Sequence, residues 1–237
     1  MLLTRPLPQG AAFEAALRAR WGTHLRLVTT PLMAPTFLKP ALPEAIFDAL
    51  IITSQTGIAA LARLDALALA LPRAVYCVGA QTARQAQAAG LDVVGMAPDA
   101  AGLIRHIMAR PPTGKLLHLR GQDARGDIAK TLHLAGIDTH EAIIYAQVRQ
   151  ALTPDAIAVL QATAPVLVPL FSPRTATIFV QEMHRVTGLA PLFIAAISAE
   201  VAVVLGDLNA NVRVAAQPDA ASMIDVVASL AQAAQRA

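Results

Sequence analysis

The 237 residues include one cysteine, one tryptophan and two tyrosines, and only 15% of them are charged. A lone thiol, Cys77, permits no internal disulfide and suits a reducing compartment. Its setting in the apolar run AVYCVG reads as a buried structural thiol. Aromatic residues amount to 4% and the arginines are scattered rather than gathered into a stripe, so no nucleic-acid partner is expected. Mean hydropathy is +0.52, yet Pro, Asp, Arg or Gln interrupts every apolar run before about 18 residues, and no membrane span is expected. The start, MLLTRPLPQG, puts Arg5 and Pro6 where a secretory signal needs its apolar stretch. A cytoplasmic location is therefore expected.

Catalytic signatures are missing as well. No GxGxxG opens a helix, Gly114-Lys115 lacks the remainder of a P-loop, and no GxSxG surrounds Ser54 or Ser172. The six histidines, His24, His106, His118, His133, His140 and His184, form neither HxxxH nor HExxH. No metal and no cofactor is expected. His118, inside LLHLRG, reads as an interior histidine with its hydrogen bonds satisfied rather than as a catalyst.

What is present is rhythm. The chain is 55% hydrophobic, which excludes disorder as its main state. Short apolar runs (MLLTRP, HLRLVTTP, DALIITS, AVYCVG, DVVGMA, KLLHLRG, HEAIIYAQV, PVLVPLFS, LFIAAIS, VRVAAQ) alternate with alanine-rich stretches at helical spacing, such as QTARQAQAAG. Strand alternating with helix predicts α/β units whose parallel sheets are covered on both faces. Ten strands divide better into two five-stranded sheets than into one.

The chain also repeats itself. PDAAGLIRHI begins at Pro98 and PDAASMIDVV at Pro218, 120 residues on. DALIITSQTGIAAL and VLVPLFSPRTATIF place Ser54 and Ser172 118 apart, and VYCVGAQTA and FIAAISAEVA end 119 apart, at Ala83 and Ala202. LLTRP…LRARWG resembles LLHLRG…LHLAG, with Leu17 against Leu132 and Gly22 against Gly136. Three motifs in one order at a nearly constant offset indicate a duplicated α/β unit, with a naive cut near Gly114.

Ligands of such sheets bind beyond the carboxyl ends of the strands, and the repeated motifs sit there. Ser54-Gln55-Thr56-Gly57, Gly79-Ala80-Gln81-Thr82 and Ser172-Pro173-Arg174-Thr175 offer hydroxyls and free backbone N–H groups at helix starts. Each set either caps its helix or helps to hold an anion. Arg5 and Arg120 end equivalent strands, and each pairs either with a local carboxylate or with one on a substrate. Tyr145, in AIIYAQV, is either a strand residue with a wet hydroxyl or a proton donor. Tyr76 reads as packing. The net charge of +3 fits an anionic small molecule better than a polymer.

TRP at Thr4–Pro6, IITSQTGI around Ser54, VGAQTA at Val78–Ala83, LRG at Leu119–Gly121, the tyrosine of AIIYAQV and FSPRTATIF at Phe171–Phe179 together resemble the uroporphyrinogen-III synthase family across essentially the whole chain. The resemblance implies a cofactor-free cytoplasmic lyase. Its substrate would be hydroxymethylbilane, a linear tetrapyrrole with eight carboxylates, cyclised with loss of water and inversion of the last ring. It implies two similar domains, each a five-stranded parallel sheet flanked by helices, with a cleft between them. One would hold residues 1–32 and 150–237, the other 37–144, and strand linkers 33–36 and 145–149 would join them. It assigns Tyr145 to departure of the hydroxyl. With the rim residues above, the expected substrate-binding set is Arg5, Ser54, Gln55, Thr82, Arg120, Gly121, Ser172 and Ser198. A monomer is expected. The chain departs from the family at Ser198-Ala199-Glu200-Val201, where relatives often carry Gly-Pro-Thr-Thr, although Ser198 still reads as a helix cap. The alternatives are an inactive paralogue or a non-catalytic two-lobed binder of small anions.

Overall fold

The computed structural model describes residues 1–6, 9–22, 25–64, 70–123 and 126–236; His24 lies outside them. The first elements are β1 (Leu2–Leu3), α1 (Gln9–Trp21), β2 (Val28–Thr29), β3 (Met33–Phe37), β4 (Phe47–Ile52), α2 (Gln55–Leu61) and β5 (Ala74–Val78). Then follow α3 (Ala80–Ala88), β6 (Asp92–Ala97), α4 (Ala100–Ala109), β7 (Lys115–Gly121), α5 (Ile128–Leu134) and β8 (Thr139–Arg149). The last are α6 (Pro154–Gln161), β9 (Val166–Leu170), α7 (Pro173–Met183), β10 (Leu192–Ala196), α8 (Ala199–Val204), β11 (Ala210–Val214) and α9 (Ala220–Ala234). Packing divides the chain into Pro35–Gln147 and a discontinuous unit of Met1–Ala34 with Val148–Ala237.

In the continuous unit the sheet order is β3-β8-β7-β4-β5-β6, and the pairs from β8 to β6 are parallel. Both faces are covered, as the unbroken apolar runs require. Leu50, Ile52, Leu117 and Leu119 pack with α2 and α3, while Ala49, Ile51 and Leu116 pack with α4 and α5. The sixth strand, β3, joins outside β8: Leu38 N–H donates to Ile144 and Gln150 N–H to Leu32, so the residue numbers run in opposite senses along this pair.

The discontinuous unit uses the same plan in permuted order. Its hydrogen-bonded ladders are β11-β10-β9 and β1-β2, all parallel. The expected five-stranded sheet is thus five strands bonded as three plus two, and Pro169 supplies the reason. Val166 N–H and Leu170 C=O turn towards β10, so by alternation Pro169 turns towards β1, where it has no N–H to give. Its carbonyl accepts instead from Thr4 Oγ1 at 3.3 Å. At the equivalent place 118 residues earlier, Ile51 pairs in register with His118 and the ladder is continuous.

The repeated words prove to be helix starts. Asp99 accepts from Gly102 N–H at 2.6 Å and Asp219 from Ser222 N–H at 2.7 Å. Leu17 and Leu132 are both fully buried, and Gly22 and Gly136, which follow their helices, both have positive φ (61° and 84°), a conformation that glycine adopts without a Cβ penalty. Cys77 is buried and free; burial pushes its thiol up to about 11. Among the described residues no helix is long and apolar enough to cross a membrane.

Candidate active site

Ser54 follows β4 with extended backbone and caps α2, its Oγ accepting from Gly57 N–H at 3.0 Å. The capping role is therefore present, and a second contact accompanies it. Ser54 Oγ lies 2.9 Å from the phenolic oxygen of Tyr145, 91 residues away on β8. A register shift brings the two together. The β7–β8 pairing steps from Arg120↔Ile143 to Gly121↔Tyr145, passing over Ile144. Strict alternation would aim Tyr145 away from the face that Ala142 and Ile144 occupy. The bulge turns it back, and its ring packs against the cluster that holds both.

Other rim residues of this unit gather nearby. Gln55 Nε2 donates to Gln81 Oε1 at 3.2 Å, tying the α2 turn to the α3 turn. The α3 turn opens with Gly79 at φ 82°, and Thr82 behind it is buried. Arg120 differs from the reading that offered it to a substrate carboxylate. Its fork engages Glu141 on β8, with Nε and Nη2 donating at 3.0 and 2.9 Å, and Nη1 donates to Gly121 O at 3.1 Å. The hydrogen bond to Glu141 raises the guanidinium further, and the same bond holds the carboxyl of Glu141 below its ordinary value. Arg120 thus makes the local pair that was one of its two readings.

His118 is interior, as expected, but not satisfied. It is 2% exposed and, among the described residues, neither ring nitrogen has a hydrogen-bond partner. Burial pulls it down to about 4, against the nearby Glu141 charge, which raises it. Tyr76 is a packing residue whose ring meets His106 edge-on at 6.4 Å.

In the discontinuous unit Ser172 repeats the geometry of Ser54, accepting from Thr175 N–H at 3.1 Å while contacting Thr175 Oγ1 at 2.9 Å. Arg5, half-buried, lies over the Phe171 ring at 4.3 Å and, among the described residues, forms no ion pair. Burial lowers its guanidinium, so it is a partly desolvated cation without an anion. Ser198 departs from expectation: it occupies the cap position of α8, yet its side chain makes no capping bond. Its hydroxyl goes to the carboxylate of Glu200, which it holds below the ordinary value together with Glu200's own N–H.

Residues 22–225 match the family described as uroporphyrinogen-III synthase HemD. The chain belongs to this family. A crystal structure of uroporphyrinogen-III synthetase from Helicobacter pylori 26695 superposes with a TM-score of 0.63 at 18% identity, over 86% of this chain and 93% of that one; it shows the shared fold. A mutant uroporphyrinogen III synthase from the extremely thermophilic bacterium Thermus thermophilus covers 97% of this chain and 99% of its own at 16% identity, with a TM-score of 0.48. No curated protein sequence gives a significant match.

Of the residues expected to serve a uroporphyrinogen-III synthase, Ser54, Gln55, Gly121 and Tyr145 come together on one unit. Arg5 and Ser172 lie at the equivalent rim of the other, with Phe171 between them in sequence and under Arg5 in space. Glu141 escaped the sequence reading. It carries no motif and is placed by the register of β8 against β7. Among the described residues no three His, Cys, Asp or Glu side chains group as a metal site requires.

Proposed function

We propose that this chain converts hydroxymethylbilane to uroporphyrinogen III in tetrapyrrole biosynthesis, working as a cytoplasmic monomer. Family membership across residues 22–225 carries the activity. The Ser54–Tyr145 contact supports the role given to the phenol. Tyr145 gives its proton to the departing hydroxyl of the bilane, which leaves as water and creates an azafulvene. The substituted carbon of the last ring attacks, the spiro intermediate fragments, and reclosure releases a proton that restores the phenol. Unassisted closure joins the unsubstituted carbon instead. The protein's contribution is therefore chiefly to bring the less obvious carbon nearer, a matter of orientation worth several kcal/mol.

A substrate with eight carboxylates needs cations and donors at several points. Arg5 is the best-placed cation, since it is partly desolvated and owes nothing to a neighbouring carboxylate, whereas Arg120 is already engaged by Glu141. Ser172, Gln55 and the α3 turn at Thr82 add neutral donors. Ser198 contributes little, because its hydroxyl serves Glu200. The test is to generate hydroxymethylbilane in situ, add the protein, oxidise, and separate isomers III and I. Isomer III above a no-protein control establishes the reaction. Isomer I alone, from folded protein, leaves a binder or an inactive paralogue.

A further inference from the structure

Gly121 and Ser54 were both expected to touch substrate, but their surroundings fit another task. An ideal Cβ on Gly121 would stand 2.6 Å from Tyr145 Cζ and 2.8 Å from its hydroxyl. The ring therefore lies flat across the glycine of the neighbouring strand, in a space that any side chain would fill. Ser54 holds the other side of the same phenol at 2.9 Å. Its Oγ already accepts from Gly57 N–H, which fixes the oxygen and leaves its own proton to give. The bulge that skips Ile144 delivers Tyr145 to this seat.

Tyrosine over glycine is by itself ordinary packing, and the same sheet contains the control. Tyr76 crosses Gly95, where a Cβ would meet Tyr76 Cδ1 at 2.7 Å, beside another register shift. Among the described residues Tyr76 has no hydroxyl partner comparable to Ser54; it meets the His106 ring. The feature peculiar to Tyr145 is thus the capture of its oxygen by Ser54.

We propose that Ser54 and Gly121 are positioning residues for Tyr145 rather than substrate ligands. Ser54 donates to the phenolic oxygen, so that the phenol's own proton points away, toward a reacting group. Gly121 keeps open the space in which that orientation is possible. The inference rests on the role of Tyr145 proposed above, and its test is partly independent of that role.

The chain has two tyrosines, so protein carrying 3-fluorotyrosine gives two fluorine resonances, assigned by Tyr76→Phe. Ser54→Ala and Gly121→Ala are expected to move the Tyr145 resonance and leave that of Tyr76, while Ser54→Thr restores the native position. In the isomer assay the first two variants should lose about 10–100-fold in kcat, as misplacement of a reacting group does, with KM within about threefold. Gly95→Ala, whose Cβ would press on His106 and Tyr76 and not on Tyr145, should keep kcat within about threefold. A tenfold rise in KM at unchanged kcat, the mark of lost uniform binding, would return Ser54 and Gly121 to substrate binding and overturn the proposal. A Tyr145 resonance that neither substitution moves would overturn it whether or not the protein is active. If the unaltered protein makes no isomer III while the resonance moves as expected, the proposed function fails and the positioning contact stands.

Discussion

Replacing His118 by leucine probes a buried imidazole with no partner among the described residues. The imidazole is 2% exposed on β7, between Ile51 of β4 and Glu141 of β8 in register, and both nitrogens lack partners. A buried polar group left without a hydrogen bond costs ~1–3 kcal/mol, and leucine is apolar and of similar bulk. At neutral pH His118→Leu should therefore stabilise the protein by ~1–3 kcal/mol. At roughly 2–4 °C per kcal/mol for a chain of this size, thermal melting followed by circular dichroism should rise by several degrees. Acid adds a second reading. The folded histidine titrates near 4 rather than the ordinary 6.5, so below 6.5 the unfolded chain binds a proton that the folded one refuses. The sign follows: stability is full above about 6.5 and is lost as pH falls towards about 4. With ~1.4 kcal/mol for each pH unit of separation, the loss amounts to about 3 kcal/mol. The leucine variant lacks this term, so its advantage should grow by that amount between about pH 7 and pH 4. A variant that melts lower than the parent at neutral pH, or whose acid profile runs parallel to it, would refute the reasoning.

Glu182 is 4% exposed on α7 and holds Arg149, Arg185 and the N–H of Leu152. Glu182→Ala should cost about 2–4 kcal/mol in denaturant titration, the lower part of the range for broken buried pairs because Arg185 is largely exposed. Burial pushes this carboxyl up, yet its hydrogen bonds and the two arginines bring it below the ordinary value; its contribution is present above about 4.5 and should fade as acid protonates it. Asp99→Ala and Asp219→Ala each remove a helix cap and should each cost about 1 kcal/mol, additively, since they lie in different units. Cys77 should resist a thiol reagent such as DTNB in native protein and react with one equivalent after denaturation.

Duplication, the alternation of strand and helix, and most helix caps were legible because they depend on short, local patterns. An aspartate before an alanine-rich helix caps it wherever the helix goes. What the sequence withheld depends on register between distant strands. Arg120 meets Glu141, 21 positions on, because β7 and β8 pair as they do. Tyr145 reaches Ser54 only through a bulge that alternation does not foresee. Pro169 was visible in PVLVPLFS, but its consequence required knowing which neighbour its missing N–H would face. His118 was rightly placed inside, and its want of a partner could not be read from LLHLRG.

The division of the chain has a consequence during synthesis. Pro35–Gln147 is continuous and complete once residue 147 has left the ribosome, whereas β1, α1 and β2, made before it, belong with Val148–Ala237. At ~5–20 residues per second the 90 residues from Val148 to Ala237 (237 − 147) take roughly 5–18 s. Until the end of that interval Leu3, Phe13 and Leu17, all buried in the finished protein, have no α9 to cover them. A segment made before Pro35–Gln147 is thus buried after it, and a nascent-chain chaperone that shields it should raise the yield of folded protein more than one acting after release.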